Sequence, residues 1–209
     1  MMPSRGIPHH VRTLPEPLRA TRRFRPRLNK PLMSGVFRLA YLEDTECPLG
    51  SFNCGKRSIN KFIRQGLLER VALGHCAARV CLDTTTNAPA GVVTISPYCL
   101  DKGYWRVKDN LGMISPDVLD KFDGKYPVPG WLIGQLGVDN KYKGQGLGEY
   151  LLMDALRLIK GLSHHGCGSI AVVHADDDVK DFYRRYGFRQ LPPDDCSVMF
   201  LPLRELEQF

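Results

Sequence analysis

Two periods alternate along the chain. "VFRLAYL" (36–42) reads as a short opening strand. In "FNCGKRSINKFIRQGLLERVALG", Ile59, Phe62, Ile63, Leu67 and Val71 return every three or four residues, which predicts a helix that stops at Gly74. "HCAARVCLD" and "APAGVVTISP" read as two strands joined by the turn-like "TTTN". Residues 97–130 carry Gly, Pro and Asp throughout and predict a long loop with at most a short helix. "WLIGQLGV" (131–138) is an apolar strand. Residues 146–160 predict an amphipathic helix with Leu147, Leu151, Leu152, Ala155, Leu158 and Ile159 on one face. "GSIAVVHA" is a further buried strand. "DDDVKDFYRRYGF" opens with acids, as a helix start does, and ends at Gly187; "SVMFLPL" closes as a strand. There is no internal repeat, and the order β-α-β-β-loop-β-α-β-α-β makes one α/β domain.

Composition narrows the class. Apolar residues are 43% and charged residues 24% of 209, values ordinary for a soluble globular chain. No apolar stretch spans a bilayer, and no secretory signal is read at the N-terminus. Seven cysteines, scattered and without a C-x-x-C pair, suggest reduced thiols in a cytoplasmic protein and no zinc site. The net charge of +7 sits wholly in residues 1–33, which hold eight Lys/Arg against Glu16; residues 34–209 balance. We therefore divide the chain into a basic extension, 1–33, expected to be disordered, and a folded domain, 34–209. The extension is a nucleic-acid-binding arm on one reading; on the other, translation starts at Met33 and the arm is dispensable.

The loop "KYKGQGLG" runs from a strand into a helix. A helix N-terminus offers unpaired N–H donors and partial positive charge, a setting for phosphate. Gly144, Gly146 and Gly148 admit a close anion. The P-loop ending Gly-Lys-Ser/Thr is absent, since Glu149 and Tyr150 follow Gly148, and G-x-G-x-G departs from the Rossmann G-x-G-x-x-G. What remains is basic-x-x-Gly-x-Gly, with Lys143, Gly146 and Gly148.

That spacing after "LGVD" resembles the pyrophosphate-binding motif of the GNAT N-acetyltransferase superfamily. "FYRRYGF" (182–188), after the strand "IAVVHA", resembles the family's closing helix, in which a tyrosine faces the cofactor sulfur. The set "FNCGKRSINKFI", "IGQLGVD", "KGQGLG" and "VHADDDVKDFYRRYGF" is similar to the GNAT toxins of bacterial toxin–antitoxin modules. Gln135 and Gly137 replace the usual Arg and Ala, and Lys143 stands where His or Arg is common. The resemblance implies a mixed, mostly antiparallel sheet with flanking helices, splayed at an acetyl-CoA site. It implies transfer of acetyl to the α-amine of aminoacyl-tRNA, blocking translation, with a ribbon-helix-helix antitoxin and a possible homodimer. The alternative is an acetyltransferase for a small amine or a protein N-terminus. Which tRNA or amine is chosen is not written in the sequence.

On that resemblance Leu136, Gly137, Val138, Lys143, Gly144, Gln145, Gly146, Leu147 and Gly148 are the expected acetyl-CoA-binding residues. The edge of strand 131–138 would pair with the pantetheine amides, and N–H groups at Leu136 and Val138 would polarise the thioester carbonyl. Tyr183 is the expected general acid, since a phenol of pKa near 10 keeps its proton at neutral pH; its alternative is core packing. Tyr186 is read as packing. No general base stands out. Lys56, Arg57, Lys61, Arg64, Lys141, Arg184, Arg185 and Arg189 are candidate tRNA contacts, with a solvated helix face as the alternative. Cys54 and His174 are read as structural. His164 and His165 are placed in a polar loop. Asp176, Asp177 and Asp178 are placed at a helix start, as cap and dipole partners and not as a metal site.

Overall fold

A computed structural model describes residues 36–100, 127–166, 168–191 and 196–206. The basic extension 1–33 and the middle of the 97–130 segment lie outside the described residues. Seven strands form one sheet: β1 (Phe37–Tyr41), β2 (Ala77–Asp83), β3 (Pro89–Leu100), β4 (Val128–Val138), β5 (Ile170–His174), β6 (Arg189–Gln190) and β7 (Val198–Pro202). Their spatial order is β1-β2-β3-β4-β5-β7-β6. Neighbours are antiparallel except β4 and β5, which are parallel. The mostly antiparallel mixed sheet matches the expected fold.

The helical stretch after β1 is built from α1 (Arg57–Lys61), a π-helical turn (Phe62–Gly66) and α2 (Leu67–Ala72). α3 (Leu147–Gly166) follows β4, and α4 (Lys180–Arg184) follows β5. Strand alternation sorts side chains onto two faces. On one face Cys81, Val93, Ala171, Val173, Met199 and Leu201 pack with Leu147, Leu151, Leu152, Leu156 and Ile159 of α3. On the other, Val80, Leu82 and Val92 meet Phe52, Ile63, Leu67 and Val71 around α1 and α2. A Cβ on Gly91 would stand 2.6 Å from Leu151 Cδ1, so glycine there lets α3 lie close on the sheet.

Three expectations change. The first helix begins at Arg57 and not at Phe52, because residues 52–56 form a hydrogen-bonded turn with Gly55 at φ +89°. The long segment is shorter than read: β3 runs on to Leu100 and β4 already starts at Val128. α3 extends to Gly166, so His164 and His165 are helical and not in a loop. The apolar period stops near Lys160, but the backbone does not.

The β4–β5 pairing is brief. Only Gly130–Ile133 pair with Ile170–Val173. β4 then continues beside β3 to Val138, while β5 continues beside β7. The two parallel strands therefore part after Ile133, and among the described residues one edge of residues 134–138 has no strand partner.

Candidate active site

A bulge directs the free edge of β4. Val93 pairs with Leu136 and Ile95 with Ile133, so Thr94 faces two residues, Gly134 and Gln135. The Thr94 hydroxyl accepts the Gln135 N–H at 2.9 Å. The Asp139 N–H donates to Ala90 O, also at 2.9 Å and also toward β3. Alternation then turns the N–H groups of Leu136 and Val138 the other way, toward the open edge. The pleat of the strand thus yields a pair of donors beside the split, where an amide-bearing chain could add as a strand.

At the end of β4 the chain makes a short 3₁₀ turn, Asn140–Tyr142, and enters the glycine loop. Gly144 and Gly146 stand at φ +79° and +81°. No atom lies within 4 Å of a Cβ built on either, so it is the left-handed backbone, not crowding within the chain, that calls for glycine. Gly148 has ordinary φ and lies 3.8–3.9 Å, by its built Cβ, from Val138 and Phe182. The loop delivers its N–H groups to the start of α3, a 20-residue helix. These donors suit an anion such as a pyrophosphate.

Behind the loop is a polar knot that sequence reading missed. The Asp139 side chain is 5% exposed. Its carboxylate accepts the N–H of Asn53 at 2.7 Å and that of Lys141 at 3.0 Å. The Asn140 N–H donates to Asn53 O at 2.8 Å. Asn53 Oδ1 in turn accepts from Gly55 N–H (3.0 Å) and Asn60 Nδ2 (2.8 Å). Asn60 Oδ1 accepts the Cys54 N–H at 2.8 Å, with Cys54 Sγ 3.2 Å away. The "FNCG" stretch is thus a brace under the loop, and Cys54 is buried structure within it, as read. Lys143 Nζ reaches the brace, 3.5 Å from a Cβ built on Gly55.

Tyr183 lies on α4, 9% exposed, edge-on to Phe182 and Phe188 at ring distances of 5.1 and 5.5 Å. Burial pushes its phenol up to about 12; the Lys56 ammonium acts against that rise and the Asp176 carboxylate adds to it. Tyr186 packs edge-on to Phe182 at 5.1 Å, as read; burial first, then the Glu149 carboxylate, raises its phenol. His174 ends β5 with Nε2 3.2 Å from Tyr98 Oη, and partial burial holds its pKa below the usual value.

The basic candidates divide. Arg57, Lys61 and Arg64 line an open depression of about 450 Å³ with Gly55, Asn60 and Gln65. Arg64 also donates from Nε to Phe52 O at 2.6 Å. Arg57, Lys61 and Lys141 form no ion pair among the described residues. Others are engaged. Arg184 bonds Asp181 and Gln190, and Arg189 bonds Glu205 at 2.8 Å. Arg185 lies 5.9 Å from the Phe182 ring centre. Lys56 is held by Asp176 at 2.8 Å and Asp178 at 2.7 Å. The aspartates do stand at a helix start, Asp176 at the N-cap position with Asp177 and Asp178 in the first turn, but Asp176 makes no side-chain cap bond, and Asp177 also pairs with Lys180. Among the described residues no three His, Cys, Asp or Glu side chains gather as for a metal ion, and no helix is long and apolar enough to cross a membrane.

Residues 101–190, which hold β4, the glycine loop, α3, β5 and Tyr183, match the family model of the acetyltransferase (GNAT) domain. Over those residues the chain is similar to a GNAT acetyltransferase domain. Over 171 residues the protein is 28% identical to the tRNA-acetylating toxin of Mycobacterium tuberculosis, covering 81% of this chain and 94% of that one. A tyrosine-to-phenylalanine variant of the toxin KacT shares the GNAT fold at TM-score 0.71 and 23% identity, covering 83% of this chain and 98% of that one. AtaT, solved with acetyl-methionyl-tRNAfMet, does so at TM-score 0.68 and 21% identity, over 82% and 97%. A tyrosine-to-phenylalanine variant of AtaT, solved with acetyl-CoA and the C-terminus of the antitoxin AtaR, matches at TM-score 0.66 and 20% identity, over 82% and 96%.

Proposed function

We propose that this protein is a toxin that transfers acetyl from acetyl-CoA to the α-amine of an aminoacyl-tRNA, and so stops translation. The observation that carries the reading is the similarity to the tRNA-acetylating toxin across 81% of the chain. The basic depression on α1, beside the loop, supports it. A partner antitoxin follows by analogy with AtaT; we take it to be of the ribbon-helix-helix kind, the toxin to be a homodimer, and the setting to be the cytoplasm.

Acetyl-CoA supplies an activated thioester. The loop residues Lys143, Gly144, Gln145, Gly146, Leu147 and Gly148 hold its pyrophosphate through backbone N–H groups, with a charge-assisted contact from Lys143. The free edge of β4 at Leu136, Gly137 and Val138 aligns the pantetheine arm. A donor aimed at the carbonyl oxygen is worth about 10²–10³ in rate. The acceptor amine needs little help: a free α-amine titrates near ~8, and an ester's lower still, so much of it is neutral at working pH. Tyr183 gives its proton to the departing sulfur, and the proton that the acceptor nitrogen sheds on becoming an amide restores the phenol through solvent. A phenol pushed up to about 12 is always protonated but gives its proton reluctantly. Arg57, Lys61, Arg64 and Lys141 are the proposed tRNA phosphate contacts, and Arg185, just past α4, stays in the set. Arg184 and Arg189, already paired within the chain, drop from that set.

The test is direct. Purified protein is given acetyl-CoA with charged tRNA, with polyamines, and with peptides bearing free N-termini. Acetylated aminoacyl-tRNA formed well ahead of the other products is the expected result. Preferred acetylation of a small amine or a peptide refutes the substrate class.

A further inference from the structure

Lys56 crosses the split between β4 and β5. Its own end is fixed to β4: a Cβ on Gly137 would stand 3.2 Å from Phe52 Cζ, 3.3 Å from Ile59 Cγ2 and 3.4 Å from Cys54 Cβ. Asp139 and Asn140, just past β4, bond the same turn through Asn53. The far end is fixed to β5. Asp176 follows that strand, and Ala175 donates its N–H to Ser197 O at 2.7 Å beside β7. From Gly134 onward the sheet no longer joins the two strands. The Lys56 ammonium does, reaching Asp176 at 2.8 Å and Asp178 at 2.7 Å. Five residues after Asp178 stands Tyr183, which senses both the Lys56 and the Asp176 charge.

We propose that Lys56, Asp176 and Asp178 form a strap across the cleft, which sets its width and positions Tyr183 against the reacting thioester. This rests on the acetyltransferase reading above. Lys56 is then a positioning residue and not a phosphate contact. With two carboxylates on one ammonium, the cluster's net charge is negative and repels a phosphate. The aspartate side chains are 71% and 64% exposed, so the strap lies at the mouth of the cleft. Exposed ion pairs add little to global stability, which separates a positioning effect from unfolding.

The experiment compares Lys56→Met, Lys56→Arg, the pair Asp176→Asn with Asp178→Asn, and all three neutral changes together. Lys56→Met is expected to lower kcat on the order of 10–100-fold, as for a misplaced reacting group. KM for acetyl-CoA is expected to stay within about twofold, and the melting temperature within about 4 °C. Lys56→Arg should restore most of kcat. The aspartate pair should reproduce the loss, and the triple variant should be no worse than the poorer of the two, because the groups act as one unit. Amide hydrogen exchange read without substrate should speed up at both 53–57 and 175–183 in Lys56→Met. Unchanged kcat in Lys56→Met overturns the strap. So does an aspartate variant that binds tRNA more tightly with kcat intact, since a freed Lys56 would then be a phosphate contact. If the wild type leaves aminoacyl-tRNA untouched, the substrate reading falls, and the exchange pattern alone upholds or overturns the strap.

Discussion

The carboxylate of Asp139 is the keystone of the loop's support, and its removal is a sharp test. Asp139→Ala strips the partner from two backbone donors, the Asn53 N–H at 2.7 Å and the Lys141 N–H at 3.0 Å. Hydrogen bonds to a charged group contribute about 1.5–3 kcal/mol each, and an orphaned buried donor costs about as much. The Asn53 bond is long-range and part-buried and takes the upper half of that range; the Lys141 bond is local and closer to solvent. The sum is about 4 kcal/mol. For a chain of this size that corresponds to a fall in melting temperature of about 8–16 °C. Asp139→Asn keeps one acceptor and should lose roughly a third as much. The loop's grip on phosphate should weaken in the same order, because Asn53 and Lys141 would no longer be tied to the residue-139 side chain. The assay is thermal unfolding by circular dichroism, paired with calorimetry of acetyl-CoA binding. An Ala variant melting within a degree of wild type, with unchanged affinity, would refute the brace.

Three further outcomes follow from the same geometry. Gly146→Glu places a side chain at φ +81° and a negative charge in the phosphate cradle; acetyl-CoA affinity by calorimetry should fall more than about 100-fold, some 2.7 kcal/mol, and an unchanged Kd removes the loop from the mechanism. Alkaline unfolding should report Tyr183. Its folded-state phenol is raised to about 12 from a usual 10, so its contribution is intact below pH 10 and drains away as pH rises toward 12, when the unfolded phenol ionises first. Urea titrations at stepped pH should show a shallower alkaline loss in Tyr183→Phe; equal slopes contradict the burial argument. Finally, Arg57→Glu with Lys61→Glu should raise KM for aminoacyl-tRNA and flatten its salt dependence, by roughly 0.7–0.9 per lost phosphate contact, with KM for acetyl-CoA unmoved.

The sequence carried the strands well because alternation is local. Val80 and Leu82 against Cys81, or Ala171 and Val173 against Ile170 and Val172, face opposite cores as a period of two demands. It misjudged the end of β3 because proline marks a break. Pairing with β2 ends at Ile95, so Pro97 has a sheet neighbour only on the β4 side, opposite Trp131, and its missing N–H costs no second ladder. The turn at Gly144 and Gly146 and the helix that carries Tyr183 were legible because their residues are packed into short spacings. The knot of Asn53, Asn60 and Asp139 was not: its key bond spans 86 residues, and asparagines carry no periodic signal. For the same reason Lys56 read as one more free cation, since its partners lie 120 and 122 residues away.

The central claim is acetyl transfer to charged tRNA. The most direct measurement is mass spectrometry of tRNA from a cell-free translation reaction supplied with this protein and isotope-labelled acetyl-CoA, run beside Tyr183→Phe. The account predicts label on the aminoacyl α-nitrogen with wild type and a loss of about 10²-fold or more with the variant. Unlabelled tRNA from a wild-type protein that still binds acetyl-CoA would contradict it.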